Sequence, residues 1–161
     1  MPDIKLLARD EWIMLRDTRL CALRESPHAF LSTYEREQAY GEDQWRSEFI
    51  RGDWNIGLID QKAVSLLGAT REPGAPAREV YLEYFWVAPR CRRSGLATSM
   101  LTVVLDRLQA ARVRTVFLWV LDGNDAAMRL YKRAGFVSTN HRQLLPGDSE
   151  RSEERLLLEL G

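Results

Sequence analysis

The stretch Val87-Ala88-Pro89-Arg90-Cys91-Arg92-Arg93-Ser94-Gly95-Leu96-Ala97 constrains this chain more than any other. It closes an apolar run, Val80 to Val87, that reads as a buried strand stopped at Ala88-Pro89. It then opens an amphipathic helix from about Gly95 to Ala111. The start of a helix carries unsatisfied N–H groups and the positive end of the helix dipole, so it attracts phosphate. Gly95 lets the backbone approach an anion closely, and Arg90, Arg92 and Arg93 add charge beside it. The concentration is local, because Lys plus Arg and Asp plus Glu number 23 each and the formal net charge is zero. A nucleic-acid binder usually carries a wider basic excess and aromatic stacking motifs. The loop therefore predicts a diphosphate cradle rather than a basic face.

The rest of the chain supports a layered α/β fold. Thr115 to Leu121 is an apolar strand, Asp125 to Ala134 a helix with Gly135 as its left-handed C-terminal residue, and Phe136 to Thr139 the start of a further strand. Leu156 to Leu160 closes the sheet. Strand and helix in alternation imply right-handed crossovers and a mixed sheet. In the first half, Ile4 to Ala8 reads as a strand and Glu11 to Arg24 as a helix capped by Asp10. His28 to Tyr40 reads as loop or weak helix and Glu42 to Ile50 as a helix. Asn55 to Ile59 and Ala63 to Ala69 form a hairpin turning at Asp60-Gln61, and Arg71 to Arg78 is a connection. With 161 residues, 45% of them hydrophobic, one domain over residues 1–161 is expected. Cys21 and Cys91 give no disulfide framework, and there is no long apolar run. A soluble, cytoplasmic protein is the expectation.

Two blocks carry a resemblance to a known family. Arg92-Arg93-Ser94-Gly95-Leu96-Ala97 resembles the coenzyme A signature of the GCN5-related N-acetyltransferases (GNAT family): Gln or Arg, two residues, Gly, any residue, then Gly or Ala. Val87-x-Pro89 before it is similar to the family's strand end. The second block, Leu118 to Phe136, resembles the family's strand, Asn124, small residues, Leu130-Tyr131 and Gly135-Phe136. Arg93 stands where the family more often has Gly, which requires its side chain to point outward. The resemblance covers Glu79 to Leu160 well and the first seventy residues only in layout. It implies a mixed central sheet of six to seven strands, flanked by about four helices and splayed between the fourth and fifth strands.

The implied activity is transfer of an acetyl group from acetyl-CoA to a primary amine of a small molecule or protein. The implied cofactor contacts are backbone groups of Phe85 and Val87, with Trp86 between them, gripping the pantetheine like an added strand. The N–H groups of Arg92, Arg93, Ser94, Gly95, Leu96, Ala97 and Thr98 would grip the pyrophosphate, and Asn124 the pantetheine arm. Asn124 can cap a helix at the same time. Tyr131 is placed near the coenzyme A sulfur, where a phenol, protonated at neutral pH, can donate to the leaving thiolate. A backbone N–H near Val87 would polarise the thioester carbonyl.

The general base stays open. Strand alternation puts Tyr81, Glu83 and Phe85 on one face. A carboxylate on a buried strand is costly unless paired. Glu83 is thus either the base, directly or through water, or the partner of an arginine. Tyr81 stands where some family members carry a catalytic Glu, and Asp122 and His141 are weaker options. No metal site is assigned. The acceptor pocket falls to the first two helices, His28 to Tyr34 and Pro146 to Ser152. Glu35, Glu37, Glu42, Asp43 and Glu48 either attract a cationic amine or form a solvated face. A catalytically silent acyl-CoA-binding regulatory module is the alternative from another class. Five tryptophans and the apolar closing strand Leu156 to Leu160 suggest a homodimer, since an apolar edge facing water invites association.

Overall fold

A computed structural model describes residues 2–148 and 150–161, so Ser149, within the expected acceptor loop, lies outside the described residues. Seven strands are present: β1 (Asp3–Leu6), β2 (Gly52–Ile59), β3 (Lys62–Thr70), β4 (Glu79–Val87), β5 (Thr115–Leu121), β6 (Val137–Leu144) and β7 (Ser152–Glu159). They make one sheet in the order β1-β2-β3-β4-β5-β7-β6. All neighbours are antiparallel except β4 and β5. The hairpin between β2 and β3 turns through Asp60 and Gln61 at φ 49° and 63°, the twist-matched geometry for a two-residue hairpin.

The helices are α1 (Trp12–Glu25), α2 (Tyr34–Gln38), α3 (Glu42–Phe49), α4 (Leu96–Ala110) and α5 (Asp125–Ala134). The fifth, α2, falls where the sequence shows only loop or weak helix. It is short and polar, capped by Thr33, whose Oγ1 accepts from the Arg36 N–H. Its buried anchor is a charge, Glu37, which no apolar period reveals. At α1 the residue ahead of the helix is Glu11 rather than Asp10. The Glu11 carboxylate instead accepts from the Ala8 N–H at 2.7 Å and pairs with Lys5.

The helices divide between the two faces. Trp54, paired with Gly68, faces the α1 side, where its ring stacks on Tyr84 and Tyr84 lies under Arg19 of α1. A Cβ at Gly68 would come within 2.4 Å of the Trp54 ring, so only glycine lets the indole lie across the strand. Asn55 and Gly57 face the other side, where Arg107 of α4 donates to Asn55 and Met100 and Leu96 close over Gly57. The core runs through both layers, with Leu15, Ile56, Leu66, Val80, Met100, Val116, Leu118 and Leu156 at most 2% exposed.

Both features that suggest self-association are accommodated within one chain. The closing strand β7 is not an edge; it lies between β5 and β6, so its backbone is paired on both sides, with Leu156 buried and Leu157 and Leu158 half-buried. The edge is β6, Val-Ser-Thr-Asn-His-Arg-Gln-Leu, which is mostly polar and exposed. Trp12, Trp45, Trp54 and Trp86 are all buried, because α1 and α3 supply the cover. Trp119, expected to be core, is the one left partly exposed. No helix of the described residues is long and apolar enough to cross a membrane.

Candidate active site

The parallel strands β4 and β5 pair only at Glu79–Thr115, Val80–Val116 and Tyr81–Phe117. Beyond Tyr81 they part, although β4 runs on to Val87 and β5 to Leu121. The facing backbone edges, including those of Phe85, Trp86 and Val87, are left without a strand partner across the gap. This is the splay expected between the fourth and fifth strands.

A bulge sits in β4 at the mouth of the gap. Its register against β3 jumps from Gly68–Glu83 to Leu66–Trp86, which leaves Tyr84 and Phe85 opposite Leu67. Tyr84 takes φ 60°, a strained value for an aromatic residue. The extra residue breaks the alternation that would put Tyr81, Glu83 and Phe85 on one face. Tyr81 and Glu83 stay together on the α1 side, as do Tyr84 and Trp86, whose indole N–H donates to Ser26 Oγ at the end of α1. Phe85 swings to the other side and packs on Tyr131 of α5, with ring centroids 6.3 Å apart. The bulge thereby joins the end of β4 to the residue placed near the sulfur.

A tight loop leads into α4. Gly95 precedes the helix at φ 83°, and a Cβ there would meet nothing within 4 Å. The glycine serves its backbone angle, and the space above it is open. Arg93 also takes a positive φ, 58°, which explains why glycine is favoured at that position. Among the described residues, the N–H groups of Arg93, Ser94, Gly95, Leu96, Ala97 and Thr98 donate to no protein acceptor, whereas Arg92 N–H bonds Pro89 and Ser99 N–H bonds Gly95. Six successive free donors at a helix N-terminus fit a diphosphate. The Arg92 side chain turns back instead, with Nε donating to the Val87 carbonyl and Nη2 to Ser26 Oγ. It braces the end of β4 against α1.

Tyr131 is 8% exposed and sits edge-on to Phe136. Burial holds its phenol well above the ordinary tyrosine value. Its hydroxyl makes no hydrogen bond to the described residues, yet it is not among the polar atoms sealed from solvent. It is a protonated donor with no protein partner among the described residues. Asn124 caps α5, its Oδ1 accepting from the Ala127 N–H at 3.2 Å, and its amide N–H groups remain available.

The candidate bases are placed as follows. Glu83 is paired: Arg51 Nη2 lies 2.6 Å and Thr70 Oγ1 2.8 Å from its Oε2. Tyr81 is the last paired residue before the gap, stacked on Phe117 at 5.2 Å and bonded at its hydroxyl by Arg155 Nη1 at 3.3 Å. Asp122 accepts from Ser152 and Arg142, which hold its carboxyl below the usual carboxylate range. His141 is exposed against the Trp119 ring, away from the gap.

The sequence does not reveal the polar network that supports this region. Arg19 makes two hydrogen bonds to Glu37, at 3.0 and 2.9 Å, both side chains 4% exposed. Its guanidinium lies 3.7 Å from the Tyr84 ring centroid and 4.7 Å from that of Phe30. The Tyr84 hydroxyl donates to Glu48 at 2.6 Å, and Glu48 also meets Arg51, which continues to Glu83. The contacts run from α2 through the strained bulge to the mouth of the gap. On the far side of the gap, Arg151 donates to the His28 carbonyl, linking the loop before β7 to the loop after α1. Two surface cavities lie elsewhere: one of about 530 Å³ beside α1 near Asp17 and Cys21, one of about 440 Å³ between Arg71 and Arg107. Neither borders the gap, which is an open cleft between strand ends.

Comparison with known proteins agrees with this geometry. The model of the acetyltransferase (GNAT) family matches residues 14–136. A comparison with curated proteins finds no significant match. Among solved structures, the ribosomal-protein-S18-alanine N-acetyltransferase from Escherichia coli superposes with a TM-score of 0.75 at 20% identity, over 100% of this chain and 95% of that one. The ribosomal-protein-alanine N-acetyltransferase from Brucella melitensis gives 0.74 at 16% identity, over 98% and 99% of the two chains. An N-acetyltransferase from Staphylococcus aureus Mu50 gives 0.75 at 14% identity, over 100% and 99%. The split sheet, the cradle and the family match define an acyltransferase of the GNAT fold. The chain belongs to the GNAT acetyltransferase family.

Proposed function

We propose that the protein transfers an acetyl group from acetyl-CoA directly to a primary amine. The observation that carries this reading is the row of six free N–H groups, Arg93 to Thr98, set beside the ends of β4 and β5 that do not pair with each other. The cradle takes the pyrophosphate. The edge of β4 that faces the gap at Phe85 and Val87 lines the pantetheine as a neighbouring strand would, with the Val87 carbonyl also held by Arg92, and Asn124 adds side-chain N–H donors. A β4 N–H near Val87 stabilises the negative charge that develops on the carbonyl oxygen.

The acceptor nitrogen bonds to the carbonyl carbon as the carbon–sulfur bond breaks and its electron pair passes to sulfur. Tyr131 donates the proton that converts the thiolate to thiol. The proton lost by the amine goes to water or to Glu83, with Tyr81 beside the path. The protein neighbours that act on amines belong to the same fold, which supports an amine acceptor here.

Thermal unfolding with acetyl-CoA tests the donor. A ligand specific for the folded state raises the melting temperature, and no shift at millimolar acetyl-CoA would remove the reading. Thioester consumption over an amine panel tests the reaction. Binding without turnover on any amine would favour an acyl-CoA-binding regulatory module.

A further inference from the structure

On the α1 side of the sheet, Trp54 and Trp86 are buried, but Tyr81, Phe117, Trp119 and Arg155 remain partly exposed. They form a continuous patch. Tyr81 pairs with Phe117 across β4 and β5, and Trp119 pairs with Arg155 across β5 and β7. The patch begins where the two parallel strands separate.

Arg155 is unusual within it. Its guanidinium lies 4.9 Å from the Phe117 ring centroid, and its one side-chain bond among the described residues is the 3.3 Å contact from Nη1 to Tyr81. Nε is sealed from solvent with no partner. Among the described residues no carboxylate lies within 4.0 Å of it; the acids nearest in the sheet meet other groups, Glu83 and Asp122 the arginines Arg51 and Arg142, Glu153 the Gln143 amide and Glu154 the Ser138 hydroxyl. On the acceptor half, Glu37 pairs with Arg19, Glu42 with Arg46, and Glu48 shares Arg51 with Glu83. A guanidinium fork short of acceptors, held over an aromatic ring, matches a carboxylate.

We infer that Arg155 binds a carboxylate carried by the acceptor, at the end of the molecule remote from the reacting amine. This deepens the acetyl-transfer reading and rests on it. Arg155 touches Tyr81, whereas the reacting amine belongs near Phe85 and Val87. Four residues of strand separate Tyr81 from Phe85, roughly 13 Å. An amine and a carboxylate on the same carbon cannot span that distance. The intervening chain lies against Phe117 and Trp119, whose rings supply apolar contact.

The test compares acceptors at saturating acetyl-CoA: ε-aminocaproate, triglycine, norleucine, hexylamine and cadaverine. Either ε-aminocaproate or triglycine should give the highest kcat/KM, and the better of the two states whether the carboxylate comes from a free amino acid or a peptide end. Preference for hexylamine or cadaverine would overturn the role of Arg155, and preference for norleucine would overturn the spacing. Arg155→Met should raise KM for the preferred carboxylate by about tenfold more than KM for hexylamine, with Arg155→Lys in between. An equal effect on both would mean a structural role. If Arg155→Met does not fold, the ranking in the wild-type protein still decides. Calorimetry with acetyl-CoA alone separates the two levels. Failure to bind acetyl-CoA removes the acetyl-transfer reading, whereas binding with turnover of hexylamine and no gain from a carboxylate removes only the inference about Arg155.

Discussion

Arg51 Nη2 lies 2.6 Å from Glu83 Oε2, and Thr70 Oγ1 donates to the same oxygen. All of these contacts fall on one carboxylate oxygen, which leaves Oε1 free of protein donors among the described residues. Glu83 is therefore held by an arginine and still presents an acceptor atom. The two roles open in the sequence, ion-pair partner and base, are compatible in this geometry. If Glu83 takes the amine proton, Glu83→Gln should remove the acidic limb of the pH–rate profile, because a base works only when deprotonated. A limb that persists in the variant would assign the proton to water or another group.

Tyr131→Phe should keep acetyl-CoA affinity and lower kcat by about 10²-fold, the scale of general-acid catalysis. The ring contacts to Phe85 and Phe136 survive, and only the donor is lost. Burial holds the phenol above its ordinary value, so Tyr131 stays protonated through the working range. Any alkaline limb in kcat should then be the same in the variant. Calorimetry and rate measurements on the same preparation check both halves.

Gly95 separates strain from charge. Its φ of 83° costs an L-residue about 1–2 kcal/mol, while a Cβ meets no atom within 4 Å. Gly95→Ala should lose stability by that order and retain acetyl-CoA binding in part. Gly95→Asp adds a carboxylate where the diphosphate approaches and should abolish binding. Denaturant unfolding and calorimetry on the two variants check the difference, and equal affinities would show that the loop does not hold phosphate.

Glu37 neutralises a cation that has no other carboxylate partner among the described residues, Arg19, whose side chain is 4% exposed. Glu37→Ala leaves that charge buried and should destabilise the fold by about 3–5 kcal/mol. Double replacement of Arg19 and Glu37 by Leu should cost less than the single change. Urea unfolding of the set measures both.

Tyr84 links stability to alkaline pH. Burial raises its pKa above the ordinary 10.0, and the neighbouring Glu48 acts in the same direction while Arg19 opposes. In the folded protein the phenol keeps its proton where the unfolded chain has lost it. Folding stability should thus be intact below pH 10 and fall as pH rises beyond it. Tyr84→Phe should flatten that decline in unfolding curves taken at increasing pH.

The parts of the site that were legible in the sequence are short. The order of strand, loop and helix from Val80 to Ala111 is visible because each signal lies within a few residues. Gly95 and Gly135 both take the left-handed angle, at φ 83° and 103°. Asn124 opens α5 as a cap, and Tyr131 faces the interior. Less visible were α2, which is held by a buried ion pair, and the place of β7 inside the sheet. An apolar strand at the end of a chain reads as an edge until its neighbours are known.

The sequence by itself determined the strand, loop and helix start around Gly95, the alternation of strand and helix, and the family. Backbone angles, caps and periodicity are local, and unpaired N–H groups follow from a helix start whatever surrounds it. Tertiary structure alone decided what the charges and the β4 side chains do. The bulge that turns Phe85 toward Tyr131 comes from the register of β4 against β3. Arg51 and Glu83 are 32 residues apart, and Arg155 and Tyr81 are 74 apart. Pairing at such separation depends on which strands lie side by side, and no short stretch of sequence contains that information.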